Sequence, residues 1–381
     1  MKNSTLIIGS GPFGLSLAAF LKKRSMPFRI VGSHFEYWRD SMPSGLCLRS
    51  SLDWHIDADN KFTMRRCIEE LNLSPQDFEP IKLRSYIQYA DWFRSNSKIS
   101  VEDTKIDRLD HQGGVFSALP RSGPPIEATH VVVAVGLRYF PYIPECLAEL
   151  LPADRVHHSS EIVDFHQLRG SRVLIVGGRQ SAFEWAALIH ESGAKEVHLS
   201  YRHEKPLFTK SDWSWLEPIL EQLPHNPDWF RNLSCHDREL FNDRVRKEGR
   251  LKLEPWLAQR ISKETIFMHP KTEIVGVDQR ASGELNIHFN NCQDIRVDHV
   301  VFATGFKIDL NRIPFMYDGN LLDKVDMRDG SPVLDSTFQS SIKGLFFTGA
   351  AAIQEFGPLF AFTATTRVSS SVIGNAIAAV S

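Results

Sequence analysis

Two stretches of this chain repeat the same order of parts. Residues 5–20 read TLIIGSGPFGLSLAAF and residues 172–187 read RVLIVGGRQSAFEWAA: an apolar run, a glycine turn, then a helical pattern. A continuous apolar run that stops at glycine is how a strand buried on both faces of a parallel sheet reads. A helix following at once makes it the opening of a βαβ unit. Finding that unit twice predicts an α/β protein with two Rossmann-like dinucleotide-binding domains.

Further strands are expected at FRIVG, HVVVAVG, EVHLSY, HVVFATG and GLFFTGA. HVVVAVG and HVVFATG read as closing strands, and GLFFTGA with the last helix as a return to the first domain. The second domain is therefore inserted into the first. The expected boundaries are 1–169 for the first part of the first domain, 170–303 for the second domain and 304–381 for the return. A length of 381 residues with 42% hydrophobic content suffices for two buried cores. Trp213, Trp215, Trp229 and Trp256 crowd the segment between Glu204 and Gln259. Such crowding usually fills a core or cap, with a substrate-facing wall as the alternative.

Other function classes are disfavoured. The 44 basic and 46 acidic residues are balanced and form no dense basic block, which argues against nucleic acid as a partner. Cys47, Cys67, Cys146, Cys235 and Cys292 have neither CxxC nor metal-ligand spacing, and they read as reduced cytoplasmic thiols. The first residues have some character of a signal peptide, but Gly11 and Pro12 break the run and the strand-turn-helix reading explains more of it. No apolar stretch reaches membrane-spanning length. Zinc spacing, a P-loop and a Ser/His/Asp signature are likewise missing, and the oligomeric state is left open.

In the first turn, Gly9, Gly11 and Gly14 flank Pro12 and Phe13. The first glycine permits the tight bend, the second lets a pyrophosphate approach the backbone, and the third lets helix pack on strand. The helix N-terminus adds free N–H groups and partial positive charge. The acid expected at the end of the following strand is replaced by Gly32. Ribose contacts then fall to groups such as Ser33, and Glu36 reads as an ordinary surface charge.

Overlaying the second turn on the first matches Gly177 with Gly9, Arg179 with Gly11 and Ala182 with Gly14, with Gly178 between. Arg179 either intrudes where phosphate should meet backbone or pairs with that phosphate from the side. Ser181 and Glu184 have capping-box spacing, in which each side chain satisfies an N–H of the first helical turn. The strand EVHLSY ends in Arg202, with no acid; an arginine there pairs with a 2′-phosphate, so a bound nucleotide is expected to be NADPH.

Taken together, GSGPFG, YWRDSMPSGLCLRS, VVVAVG, HSSEI, GGRQSAFE, VVFATGF and GLFFTGAAAIQEFGP resemble, in order and spacing, the class B flavoprotein monooxygenases. That group includes flavin-containing monooxygenases and the lysine and ornithine N-hydroxylases. The resemblance implies FAD at the first turn and NADPH at the second. It places Gly9, Gly11, Pro12, Phe13 and Gly14 at the FAD pyrophosphate, Trp38 and Arg39 along the flavin side, and Gly136, Gly305 and Gly349 at cofactor-facing strand ends. Phe356, Gly357 and Pro358 would lead into the last helix beneath the flavin. Gly177, Gly178, Arg179, Gln180, Ser181 and Arg202 would contact NADPH.

The chemistry implied is hydride transfer from NADPH to FAD, then reaction with oxygen through a C4a-hydroperoxyflavin that oxygenates a small nucleophilic substrate, amine N-hydroxylation first. Arg49 is expected to meet an anionic substrate or the flavin, and Gln180 to lie near the nicotinamide. The bland readings are an ion pair for Arg49 and a turn residue for Gln180. Two other functions stay open: an FAD-dependent NADPH oxidase or reductase, and a non-catalytic nucleotide sensor.

Overall fold

The computed structural model describes residues 4–280 and 283–379. Its two parallel sheets use strands β1 (Thr5–Ile8), β2 (Phe28–Val31), β3 (His130–Val133), β4 (Val156–His158), β5 (Arg172–Val176), β6 (Glu196–Tyr201), β7 (Ile266–Pro270), β8 (His299–Phe302) and β9 (Leu345–Phe347). The first sheet has the order β2-β1-β3-β9 and the second β7-β6-β5-β8-β4. β1 and β5 are central, with every residue of β1 buried, as the unbroken apolar runs require. Helix α1 (Pro12–Lys23) follows β1 and α2 (Gln180–Glu191) follows β5; α3 (Thr366–Ala379) packs along α1.

The duplication extends past the turns. Each unit carries a three-stranded antiparallel meander just before its closing strand: Ile106–Gln112, Val115–Pro120 and Ile126–Ala128 before β3, and Ile274–Gln279, Leu285–Phe289 and Asp294–Val297 before β8.

Two features go beyond the sequence reading. β4 pairs with β8, so the second sheet takes in a strand lying ahead of Gly170. The aromatic segment of the second unit serves the first core: Leu216, Leu223, Phe230 and Phe241 are buried with the residues around β1, and Trp213, Trp215 and Trp229 pack against them. The two crossings between the units are laced together. Pro141 bridges Phe306, the Tyr142 N–H donates to the Gly305 carbonyl at 3.0 Å, and the Lys307 N–H donates to that of Phe140 at 3.0 Å.

Candidate functional site

The two glycine turns have the same geometry. Gly9 has φ +112° and Gly177 φ +151°, conformations that side chains rarely adopt. A Cβ on Gly9 would strike the Ala134 carbonyl oxygen, and one on Gly177 would lie 2.6 Å from that of Ala303. Ala134 follows β3 and Ala303 follows β8, so in each unit the turn folds against the end of the neighbouring strand. Gly14 is pressed against the Gly9 carbonyl. Gly11 differs from both: its φ is −80°, and a Cβ there would meet nothing within 4 Å.

Beside Gly11 opens a cleft. It is lined by the turn from Gly9 to Phe13, and also by Ser33, Glu36, Trp38, Gly136 and Arg138. A chain segment folded back on the turn delivers Glu36. The Ser10 hydroxyl donates to the carbonyls of Gly32 and Ser33, the Phe35 N–H donates to the Ser10 carbonyl, and Phe35 takes a left-handed φ of +57°. The Glu36 carboxylate accepts from Lys105 at 2.8 Å and Arg138 at 2.5 Å, both cations lining the same cleft. Glu36 is therefore not the ordinary surface charge that its distance from β2 suggested. It is the one carboxylate among the residues that line the cleft, supplied from beyond Gly32. The Ser33 hydroxyl donates to Asp103 at 2.6 Å on the same rim.

This cradle fits a dinucleotide. Open space over Gly11, the N-terminus of α1, an acid for ribose hydroxyls and two nearby cations are the groups a pyrophosphate and its sugar require. The Tyr37 hydroxyl, on the cleft wall, is buried with no partner among the described residues. Burial holds its proton far above the ordinary tyrosine range, so it remains a donor. Sequence reasoning missed Tyr37, Lys105, Arg138 and Phe315. Their approach to the cleft is a product of tertiary folding, and no local pattern marks it.

Several expected contacts fall elsewhere. Arg39 points to Asp91, at 2.8 Å, and does not line the cleft. Phe356 stacks on Phe338 with ring centroids 3.8 Å apart, and a Cβ on Gly357 would strike the Phe230 ring. Pro358 opens a short 3-10 turn, and two such turns intervene before α3. Phe356 belongs to the core that receives the aromatic segment, and Gly357 lies against it through Phe230. Gly349 stays close to the site, with Phe13 packed against it at 3.2 Å from a built Cβ. Gly305 lies in the laced crossing, where its carbonyl also accepts from His158 Nε2 at 2.9 Å.

At the second turn, α2 begins at Gln180 with Arg179 as its N-cap, in extended backbone (φ −111°, ψ −179°). An arginine there needs no glycine geometry, so it does not distort the turn. Gly178 is covered: Tyr201 and His203 lie against it, and its carbonyl contacts His203 Nε2 at 2.9 Å. Arg202 is exposed at the end of β6 and has no ion pair or hydrogen-bonded side-chain partner among the described residues.

The capping-box expectation fails. The helix begins two residues earlier than that box needs, its N-cap side chain makes no capping bond, and Ser181 is exposed in the first turn. Glu184 turns inward instead, is 1% exposed, and accepts the Cys47 backbone N–H of the first unit at 2.8 Å. Burial pushes its carboxyl up to about 7, against the pull of that N–H and of Arg260 and Arg49.

Arg49 also joins the units, as an ion pair rather than a substrate contact. Its Nε donates to Glu254 at 3.0 Å, and the rest of the guanidinium is taken by the Ser211 hydroxyl and the carbonyls of Gly249 and Lys252. Glu254 in turn donates its backbone N–H to Gln180 Oε1 at 3.1 Å. Both residues that sequence put forward for chemistry are thus parts of one strut, from the Cys47–Leu48 strand and Arg49 to the first turn of α2.

Two glycine turns on two parallel sheets, the first opening into a cleft, define a two-nucleotide-domain oxidoreductase with the fold of the class B flavoprotein monooxygenases. The chain belongs to the pyridine nucleotide-disulphide oxidoreductase family, whose sequence profile matches residues 6–226. It is 26% identical over 361 residues, 90% of each chain, to an uncharacterized CzcO-like oxidoreductase of Geobacillus kaustophilus (strain HTA426). It is 27% identical over 123 residues, 32% of this chain and 25% of the other, to a trimethylamine monooxygenase of Pelagibacter ubique (strain HTCC1002). The ornithine N-hydroxylase of Kutzneria sp. 744 shares the fold, with a TM-score of 0.81 at 17% identity over 100% of this chain and 99% of that one.

Proposed function

We propose that this protein is an FAD-dependent monooxygenase that consumes NADPH and oxygenates a small nucleophilic substrate, with N-hydroxylation of an amine as the first reaction to test. The observation that carries this reading is the pair of geometrically matched turns, the first facing a cleft with its own acid. The five cysteines are free, and among the described residues no cluster suited to a metal occurs, so the chain's own side chains offer no redox couple. The names of similar proteins support the same direction. The Kutzneria enzyme was solved with reduced FAD, NADP+ and L-ornithine, and the Pelagibacter relative is named for trimethylamine.

When bound, FAD would supply electron transfer and oxygen activation. The chain's own residues bind and orient. The N–H groups at the start of α1 and the open face of Gly11 hold pyrophosphate, and Glu36 accepts ribose hydroxyls. At the second turn Arg202 meets a 2′-phosphate, and Arg179, at the N-cap, stands beside the pyrophosphate path. The overall balance is one substrate, O₂, NADPH and a proton giving oxygenated substrate, NADP+ and water.

Purified protein should be yellow and release FAD on denaturation. Anaerobic NADPH should bleach it faster than NADH, and an aerobic panel of amines, thioethers and ketones should yield a product heavier by one oxygen. Colourless protein that takes up no FAD overturns the flavoprotein reading. Peroxide formed in proportion to NADPH, with no oxygenated product across the panel, makes the chain an oxidase.

A further inference from the structure

We propose that Glu184 is the positioning residue that fixes the first turn of α2, and with it the second nucleotide site, against the first unit by accepting the Cys47 N–H. Its kinetic consequence rests on the function proposed above; its structural part does not.

Glu184 opens the second turn of its helix, past any capping position, and reaches a backbone 137 positions away in sequence. Only 1% of it is exposed. A carboxylate buried this deeply is costly unless donors satisfy it: the Cys47 N–H does so across the units at 2.8 Å, and the Gln180 side chain, one turn back on the same helix, adds to it. The charges facing it are already engaged. Arg49 pairs with Glu254, and Arg260, on the short helix Leu257–Ile261, pairs with Glu191 at 2.7 Å. Lys82 stands across from Cys47 on the paired strand.

The same short segment of the first unit reaches the same helical turn twice. Cys47 bonds Glu184, while Arg49 reaches Gln180 through Glu254. Leu46 and Leu83 add an apolar contact, buried in the second unit's core beside Phe183 and Leu188. The turn so held carries Arg179 and the helix N-terminus that would face a nucleotide. Its placement relative to the first cleft therefore depends on this contact. A carboxylate accepts an N–H more strongly than a neutral acid does, so protonation weakens the hold.

Two measurements test this. The first is amide hydrogen exchange of the cofactor-free chain, corrected for intrinsic rates, reading the Cys47 amide. In Glu184→Ala its protection should fall about tenfold or more at every pH. Glu184→Gln keeps an acceptor oxygen and should keep protection, now independent of pH, whereas the native chain should lose protection as pH falls below about 7. Glu184→Asp, charged but shorter, should resemble alanine, which separates reach from charge if the alanine variant folds poorly. Native protection in both alanine and aspartate variants, or a native pH profile in the glutamine variant, overturns the inference.

The second is anaerobic reduction of the FAD-loaded protein by NADPH. The limiting rate should fall about tenfold in Glu184→Ala and recover in Glu184→Gln, with the NADPH dissociation constant changed less than about twofold. Weaker binding at an unchanged limiting rate overturns positioning in favour of a nucleotide contact. A native protein that NADPH does not reduce defeats the proposed function alone, and the exchange measurement still decides the role of Glu184.

Discussion

Arg179 caps its helix from the position Gly11 holds in the first unit, and both have backbones open to any residue, with φ of −111° and −80°. The substitution that looks disruptive in sequence is thus sterically neutral. Arg179→Gly should fold with stability changed by only a few tenths of a kcal/mol, the usual cost of glycine at an N-cap. It should bind NADPH about tenfold more weakly, since one charge-assisted contact is lost. A fluorescence titration checks this, and tighter binding would show that the arginine obstructs.

Gly9 and Gly11 should respond in opposite ways to alanine. Gly9→Ala places a methyl against the Ala134 carbonyl at a φ of +112°, so it should fail to fold or lose several °C in melting temperature. Gly11→Ala meets no neighbouring atom within 4 Å and should melt like the native chain while losing FAD affinity. Thermal scans beside FAD reconstitution separate the two. A stable, FAD-binding Gly9→Ala would refute the geometry.

Glu36 should matter to the first nucleotide only. Glu36→Ala removes the ribose acceptor and leaves Lys105 and Arg138 unpaired in the cleft, so the FAD dissociation constant should rise about tenfold. NADPH affinity should not change. Unaltered FAD binding in reconstitution titrations would return Glu36 to the role of a surface ion pair.

On the proposed function, Arg202 should set the choice between NADPH and NADH. Because it is exposed and has no ion pair or side-chain hydrogen bond among the described residues, Arg202→Ala should cost no stability. It should lower the limiting preference for NADPH over NADH by about tenfold or more, through NADPH alone. Equal loss with both nucleotides would mean the arginine does not read the 2′-phosphate.

Acid should destabilise the fold partly through His55. Burial first, and Arg367 beside it second, depress its pKa to about 4, and its Nδ1 accepts the Asp57 N–H at 3.2 Å. The unfolded chain, with the ring near 6.5, binds the extra proton between these values. The contribution is therefore complete above pH 6.5 and is lost as pH falls to about 4, an amount on the order of 3 kcal/mol. His55→Asn should flatten urea stability against pH in that window, by up to about 1.4 kcal/mol per pH unit. Parallel curves for the two proteins would refute it.

The repeated unit was legible because its information is local: glycine at a positive φ, apolar runs at buried strands, a helix beginning at once. Even Arg202, at the end of a strand, could be placed by counting. What the sequence hid depends on distance. Glu36 lies too far past β2 to be counted as a residue of the cleft, and the fold-back onto Ser10 that delivers it has no motif. Ser181 and Glu184 matched a capping pattern, but a buried partner in the other unit outcompeted the local bond. Arg49 and Gln180 looked available only because Glu254, which occupies both, is remote in sequence. The aromatic segment was readable as core, but not as the core of the other unit.

The laced crossings have a consequence for how the protein comes apart. Because the chain leaves the first unit at Phe140 and returns at Lys307 with their backbones bonded, the second unit is attached like a cassette that could be lifted out and the ends rejoined. Yet Leu216, Phe230 and Phe241 travel with that cassette while completing the first hydrophobic core. Removing it would strip its host. The two units, separable by topology, should lose stability together.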